Sequence, residues 1–192
     1  MEPLDHIPAY ILCGGKSSRM TTEKGLVKLQ EKTFIERITS VLQSKNMLVK
    51  LITENENYSE MGYEILPDIY KNKGPLAGIQ SALADCKKES ILILSCDIPL
   101  FNSQTLTALH SNALPEKEVV YATANGKDHP LVGFYKKSLL KKLENALDNN
   151  NLKVMNFVKE QNFQKIEIND ARSLSNINTP LELQELENKI EL

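Results

Sequence analysis

The segment that most limits what this chain can fold into is the apolar run Tyr10-Ile11-Leu12, followed at once by Cys13-Gly14-Gly15 and then by two spaced cations, Arg19 and Lys24. The apolar run reads as a buried strand. The glycine pair lets the backbone turn tightly and come close to a ligand. Amides after such a strand form a nest for phosphate oxygens, where Arg19 can hold pyrophosphate with paired bonds and Lys24 can offset phosphoryl charge. The segment lacks the Gly-x4-Gly-Lys-Ser/Thr spacing of a P-loop and the Gly-x-Gly-x-x-Gly of a dinucleotide site. The plain alternative is a surface loop, but generic loops rarely join a glycine pair and two cations directly after a buried strand.

The rest of the chain alternates strand and helix patterns. Residues 7–12 and 47–52 read as strands, and 34–42 carries a helical period at Ile35, Ile38, Val41 and Leu42. Pro75 suits the first turn of a helix opened by Gly74. Ile91-Leu92-Ile93-Leu94 is continuously apolar, as expected of a central parallel strand buried on both faces, and Asn102 or Ser103 can cap the next helix. This order predicts an α/β sheet with helices on both faces. Further on, 119–123 and 131–135 read as strands joined by an Asn125-Gly126 hairpin turn. Helices are predicted over 136–147, 152–159 and 180–190, the last capped by Thr179. The 192 residues carry no internal repeat and no Pro/Gly/Ser-rich linker, so one domain is expected over 1–192.

Composition narrows the partners. The 23 basic and 25 acidic residues leave a net charge of −2, which argues against nucleic acid or an anionic membrane as the main partner. No apolar run is long enough to span a bilayer, and residues 1–8 do not resemble a signal peptide. Cys13, Cys86 and Cys96 match neither a disulfide framework nor a zinc site, so a reducing cytoplasm is expected.

Four further segments carry candidate chemistry. Asp97, just past the 91–94 strand, is placed where ligands bind in open α/β sheets and can hold Mg²⁺; a turn or cap aspartate is the alternative. Asp68 can accept bonds from a base or ribose, and Gly74 and Gly78 permit close approach, although turn residues leading into a helix explain much of the same pattern. His129 either touches substrate or is structural. Asn176 and Asn178, at alternate positions before a helix, point to one side of an extended chain and can bind a polar ligand or make turns and caps.

Taken together, Leu12-Cys13-Gly14-Gly15-Lys16-Ser17-Ser18-Arg19-Met20, Lys24-Gly25-Leu26, Gly74-Pro75-Leu76-Ala77-Gly78, Cys96-Asp97-Ile98-Pro99, His129-Pro130 and Asn176-Ile177-Asn178-Thr179-Pro180 resemble the molybdenum cofactor guanylyltransferase family. Lys153-Val154-Met155 is similar to that family's short Arg-Val-Met segment. The matches keep the family's order over residues 7 to about 186. The first loop is shared by many sugar-phosphate and cytidylyl transferases, and Asn-x-Asn-Thr-Pro is more discriminating. Departures are Cys13 for the usual Ala, Thr21 for Gly and Glu23 for Asp.

The resemblance implies a Rossmann-like nucleotidyltransferase fold, three layers α/β/α around a mostly parallel sheet. The N-terminal half would bind nucleotide and the C-terminal half the acceptor. It implies transfer of GMP from MgGTP to molybdenum-bearing molybdopterin, with pyrophosphate released. Leu12, Cys13, Gly14 and Gly15 would contact guanine and phosphates, Lys24 would bind phosphate, Arg19 would line the same pocket, Asp68 would contact the nucleoside, and Asp97 would hold Mg²⁺. The family's ribose- or base-contacting Asn falls nearest Thr53, with Asn55 two residues on. Asn176 and Asn178 would contact the pterin, with His129 beside them as a further acceptor-side residue. Transient contact with molybdopterin-loading or acceptor proteins is implied as well. A cytidylyltransferase of the same fold, or a non-catalytic carrier of the cofactor, is the rival expectation.

Overall fold

The computed structural model describes residues 1–14 and 23–190, so Gly15 and Arg19, both expected at the nucleotide, lie outside the described residues. The apolar run becomes β1 (Ala9–Leu12), and a two-stranded ribbon follows, β2 (Lys28–Leu29) and β3 (Lys32–Thr33), turning at Gln30 with φ 57°. Thr33 then opens α1 (Phe34–Gln43) with a capping box: its hydroxyl accepts the Glu36 N–H at 3.2 Å while the Glu36 carboxylate accepts the Thr33 N–H at 2.7 Å. β4 (Val49–Ile52), β5 (Glu64–Leu66), α2 (Pro75–Asp85) and β6 (Ser90–Ser95) complete the first half. Gly74 caps α2 at φ +71°, in the region that favours glycine, and Pro75 begins the helix as its fixed φ suits.

The second half runs α3 (Ser103–Ser111), β7 (Val119–Ala124), β8 (Lys127–Lys136), α4 (Leu140–Asp148), α5 (Val154–Lys159), β9 (Phe163–Glu167) and α6 (Pro180–Ile190). Asn102 caps α3 by accepting the Thr105 N–H at 2.9 Å. Asn125 (φ 50°) and Gly126 (φ 74°) form the expected hairpin turn, positive φ at both positions matching strand twist. The predicted 136–147 helix begins later, because Lys136 still belongs to β8 and a short 3₁₀ turn precedes Leu140.

Seven strands form one sheet in the order β5-β4-β1-β6-β8-β7-β9. The pairs β4–β5, β1–β4, β1–β6 and β7–β9 are parallel, and only β8 runs against its neighbours. Alternate residues of each strand face opposite layers. On one face Ile11, Leu51, Leu92 and Phe134 pack with Ile35 and Ile38 of α1 and Leu106 and Leu109 of α3. On the other, Tyr10, Ile93 and Tyr121 pack with Ile79 and Leu83 of α2, Leu143 of α4 and Phe157 of α5. β6 is buried on both faces in mid-sheet, as its continuous apolar run predicts. A satellite cluster of Leu29, Phe34, Ile177 and Leu186 holds α6 against the ribbon. Among the described residues no helix is long and apolar enough to cross a membrane.

Chain order reverses at β1: β4 and β5 lie to one side of it and β6 to the other, which opens a crevice beyond the carboxyl ends of β1 and β6. Leu94 pairs with Val132, so the antiparallel β8 brings its start, not its end, to the same rim. His129 is therefore a strand residue at the crevice rather than part of a loop.

Lys24 enters this rim on a 3₁₀ turn whose next residue, Gly25, has no room for a side chain. A Cβ there would lie 2.6 Å from Tyr58 Oη and 2.8 Å from Ile35 Cγ1, both fully buried. Gly25→Ala should cost about 1–3 kcal/mol, lowering Tm by roughly 3–10 °C in thermal unfolding. An unchanged Tm would mean that this packing does not fix the turn.

Candidate active site

Asp97 stands two residues past the end of β6, where the Cys96 N–H still bonds the Leu12 carbonyl at 3.2 Å and so extends the β1–β6 pairing. Its carboxylate is 13% exposed and gathers three donors. Ser95 Oγ donates to Oδ1 at 2.6 Å, Asn176 Nδ2 to Oδ1 at 2.8 Å, and Lys24 Nζ lies 3.5 Å from Oδ2. Lys24 Nζ also donates to Asn178 Oδ1. The Ile177 N–H bonds the Asp97 carbonyl at 2.8 Å. That bond pins the extended 176–178 segment so that Ile177 enters the satellite cluster while both asparagines turn to Asp97 and Lys24. The alternation expected of Asn176 and Asn178 is thus realised.

Glu182 holds this segment in place. Its Oε2 accepts the N–H groups of Asn178 at 2.7 Å and Thr179 at 3.0 Å, while Thr179 Oγ1 accepts the Glu182 N–H at 3.2 Å. These bonds, led by the Asn178 N–H, hold the Glu182 carboxyl below the usual carboxylate range. Sequence reasoning found Thr179 as the cap and missed Glu182, although Thr-x-x-Glu is the signature of a capping box. Ser95 was also missed; its only signal is its place two residues before Asp97.

The remaining candidates line the rim toward β5. Among the described residues nothing lies within 4 Å of where a Gly14 Cβ would stand. Cys13 gives its N–H to the Ile52 carbonyl at 2.9 Å, and its buried thiol, beside Cys96, is pushed up well above the usual range, so it is a space-filling neutral group. Leu12 turns its side chain to Gly78, where a Cβ would come within 2.9 Å of Leu12 Cδ2. Gly78 therefore serves close packing of α2 under the rim. Thr53 follows β4, 5% exposed, and its hydroxyl accepts the Asn55 N–H at 3.1 Å; Asn55 in turn caps a 3₁₀ turn. Asp68 follows β5. Its loop is tied to α2 by the Ile69 N–H on Ser81 Oγ at 2.8 Å, and Asp68 Oδ1 is buried without a hydrogen-bond partner among the described residues.

His129 is 8% exposed. Burial, and then the Lys127 ammonium, hold it below the usual imidazole range against the opposing pull of Asp128 and Asp97, so the ring is uncharged at neutral pH. Lys24, Asp97, Asn176 and Asn178 are in direct contact, with His129 close by in the field of Asp97; Asp68 and Thr53 stand further along the same crevice.

An Mg²⁺ site fits these residues. Among the described residues no three His, Cys, Asp or Glu converge, but Mg²⁺ bound with a triphosphate needs only one or two protein carboxylates. The Asp97 carboxylate supplies the oxygen ligand such an ion prefers, and it is held by the Ser95 hydroxyl and the Asn176 amide N–H.

Residues 9–164 match the family described as MobA-like NTP transferase domain. A Flavobacterium johnsoniae protein named "Probable molybdenum cofactor guanylyltransferase" is 40% identical, the alignment covering 95% of this chain and 97% of that one. A Clostridium perfringens protein of the same name is 35% identical, covering 96% and 98%. Among solved structures, molybdopterin-guanine dinucleotide biosynthesis protein A from Archaeoglobus fulgidus superposes with a TM-score of 0.80 at 22% identity, covering 96% and 99%, which establishes the shared fold.

The unpaired Asp68 oxygen has a measurable consequence. Burial, then the nearby Glu54 charge, raise its carboxyl above the usual range, so the native state binds more protons than the unfolded chain between the two values. Stability therefore falls as pH rises through that window. Asp68→Asn should raise Tm at pH 7 by about 1–2 °C, a small figure because the side chain is only partly buried, with the gain vanishing near pH 3–4. A lower Tm than wild type at pH 7 would contradict this.

Proposed function

This chain belongs to the MobA-like NTP transferases, within the molybdenum cofactor guanylyltransferase family, and from that membership we propose that it transfers GMP from MgGTP to the terminal phosphate of molybdenum-bearing molybdopterin, releasing pyrophosphate. The observation that carries the reading is the convergence of Lys24, Asp97, Asn176 and Asn178 at the carboxyl end of β6. Residues drawn from the start, middle and end of the chain meet there, as a site joining two substrates requires. The half that holds β1, β4 and β5 takes the nucleotide, and the half that holds β8 and α6 takes the acceptor.

The chemical obstacle is repulsion between two polyanions and charge growing on the departing pyrophosphate. Asp97 would hold Mg²⁺, which when bound neutralises phosphate oxygens and orients the α-phosphorus. Lys24, which shares itself between Asp97 and Asn178, is placed to exchange these contacts for phosphate oxygens. Arg19 would assist in the same pocket. On the family resemblance, Leu12, Cys13, Gly14 and Gly15 would contact the nucleotide, with Thr53 near the ribose or base. Asp68 offers its unpaired oxygen to base or ribose donors, which would remove the cost of burying it. Asn176 and Asn178 present amides to the pterin, and neutral His129 adds a polar wall. The acceptor phosphate is already ionised, so no residue has to remove a proton. The reaction belongs to the cytoplasm, with transient handover from and to molybdopterin-carrying proteins.

Incubation with MgGTP and molybdenum-loaded molybdopterin, read by mass spectrometry, should give the guanine dinucleotide, with CTP and ATP poor donors. Preference for CTP, or tight GTP binding with no pyrophosphate released, would overturn the assignment. Asp97→Asn should fold normally and lose roughly 10³-fold or more in turnover. Ordinary turnover in that variant would remove the metal role from Asp97.

A further inference from the structure

Two lysines are linked to Asp97, Lys24 at Oδ2 and Lys127 through the amide bonded to Oδ1. Lys24 reaches Asp97 and Asn178. On the other side, Lys127 Nζ lies 3.5 Å from Asn176 Oδ1, and the same amide donates through Nδ2 to Asp97 Oδ1 at 2.8 Å. Asn176 thus links Lys127 to the carboxylate that Lys24 reaches directly. Lys127 is the first residue of β8, directly after the hairpin turn. The turn is braced: Thr123 Oγ1 donates to the Lys127 carbonyl at 2.9 Å, and the Asn125 N–H to Glu167 Oε1 at 3.0 Å. Asp128, next in sequence, is taken by Lys165 at 2.9 Å, whereas among the described residues Lys127 itself pairs with no carboxylate. An ammonium fixed at a site rim without a protein anion is suited to a ligand anion.

We propose that Lys127 binds the terminal phosphate of the acceptor, a phosphomonoester, on the opposite side of Asp97 from the cation that serves the triphosphate. The proposal rests on the guanylyltransferase reading and deepens it. In the step, an acceptor phosphate oxygen forms a bond to the α-phosphorus and the bond from that phosphorus to the β-bridging oxygen breaks, its electron pair leaving with pyrophosphate. Two anions must therefore approach closely, and each needs a counter-charge. Lys24 comes from the side of β1, and Lys127 from the antiparallel strand that reaches the rim only by its first residues. Its positive charge also acts on His129, two residues along the same strand.

Steady-state kinetics with both substrates varied provide the test. Lys127 is exposed, so Lys127→Met should melt as wild type does. Its KM for molybdopterin should rise roughly 10- to 100-fold while its KM for MgGTP stays within about twofold. Lys127→Arg should recover most of the loss, because it restores the charge. An active Lys127→Met enzyme with unchanged acceptor KM, or with both KM values raised alike, overturns the assignment and leaves the transfer reading standing. A wild-type chain that forms no dinucleotide removes both.

Discussion

The candidate site depends on one carboxylate being reached from two distant parts of the chain. Asp97 accepts from Ser95 and Asn176 and faces Lys24, while its carbonyl accepts from Ile177. At that junction the side chains of the 24–26 turn, the end of β6 and the segment before α6 meet, while the Ile177 main-chain bond and its apolar cluster hold the backbone. The pair is only partly buried, at 27% and 13% exposure, so its worth in stability is modest. Its importance is positional. An ammonium 3.5 Å from a carboxylate is a contact that can be exchanged for a phosphate and a metal ion without rebuilding the fold.

The scaffold makes such an exchange possible because the strands are rigid and the site residues sit on their ends. β1 and β6 are buried along almost their whole length, so Gly14 and Asp97 are held in register by the sheet. The single antiparallel strand alters what the rim can do. A seventh parallel strand would have placed its carboxyl end there; β8 instead presents Lys127 and His129 from its start. On the proposed assignment, the nucleotide side is built around the ends of β1 and β6 and the acceptor side around the start of β8.

Much of this was legible in the residues. Continuous apolarity announced β6, Asn125-Gly126 the hairpin, Pro75 and Thr179 two helix starts, and the Gly14, Asp97 and Asn176–Asn178 segments the rim. The misses have physical causes. β5 and β9 are edge strands, half exposed, whose short mixed patterns do not stand out from loop sequence. The β2–β3 ribbon is too short to show a period. The apolar pattern predicts a strand only from 131, because Asp128-His129-Pro130 looks like turn sequence, whereas β8 begins at Lys127 and accommodates the proline beside a bulge at Tyr121/Ala122. Lys127 carried no signal, since one exposed lysine after a turn means nothing until the register of β8 places it.

The most direct measurement is a crystal structure with Mn²⁺ in place of Mg²⁺ and a non-hydrolysable GTP analogue, with anomalous scattering locating the ion. The account predicts an ion peak against the Asp97 carboxylate, with Lys24 turned from it onto phosphate oxygens. A nucleotide bound with its ion elsewhere, and the Lys24–Asp97 contact intact, would contradict it.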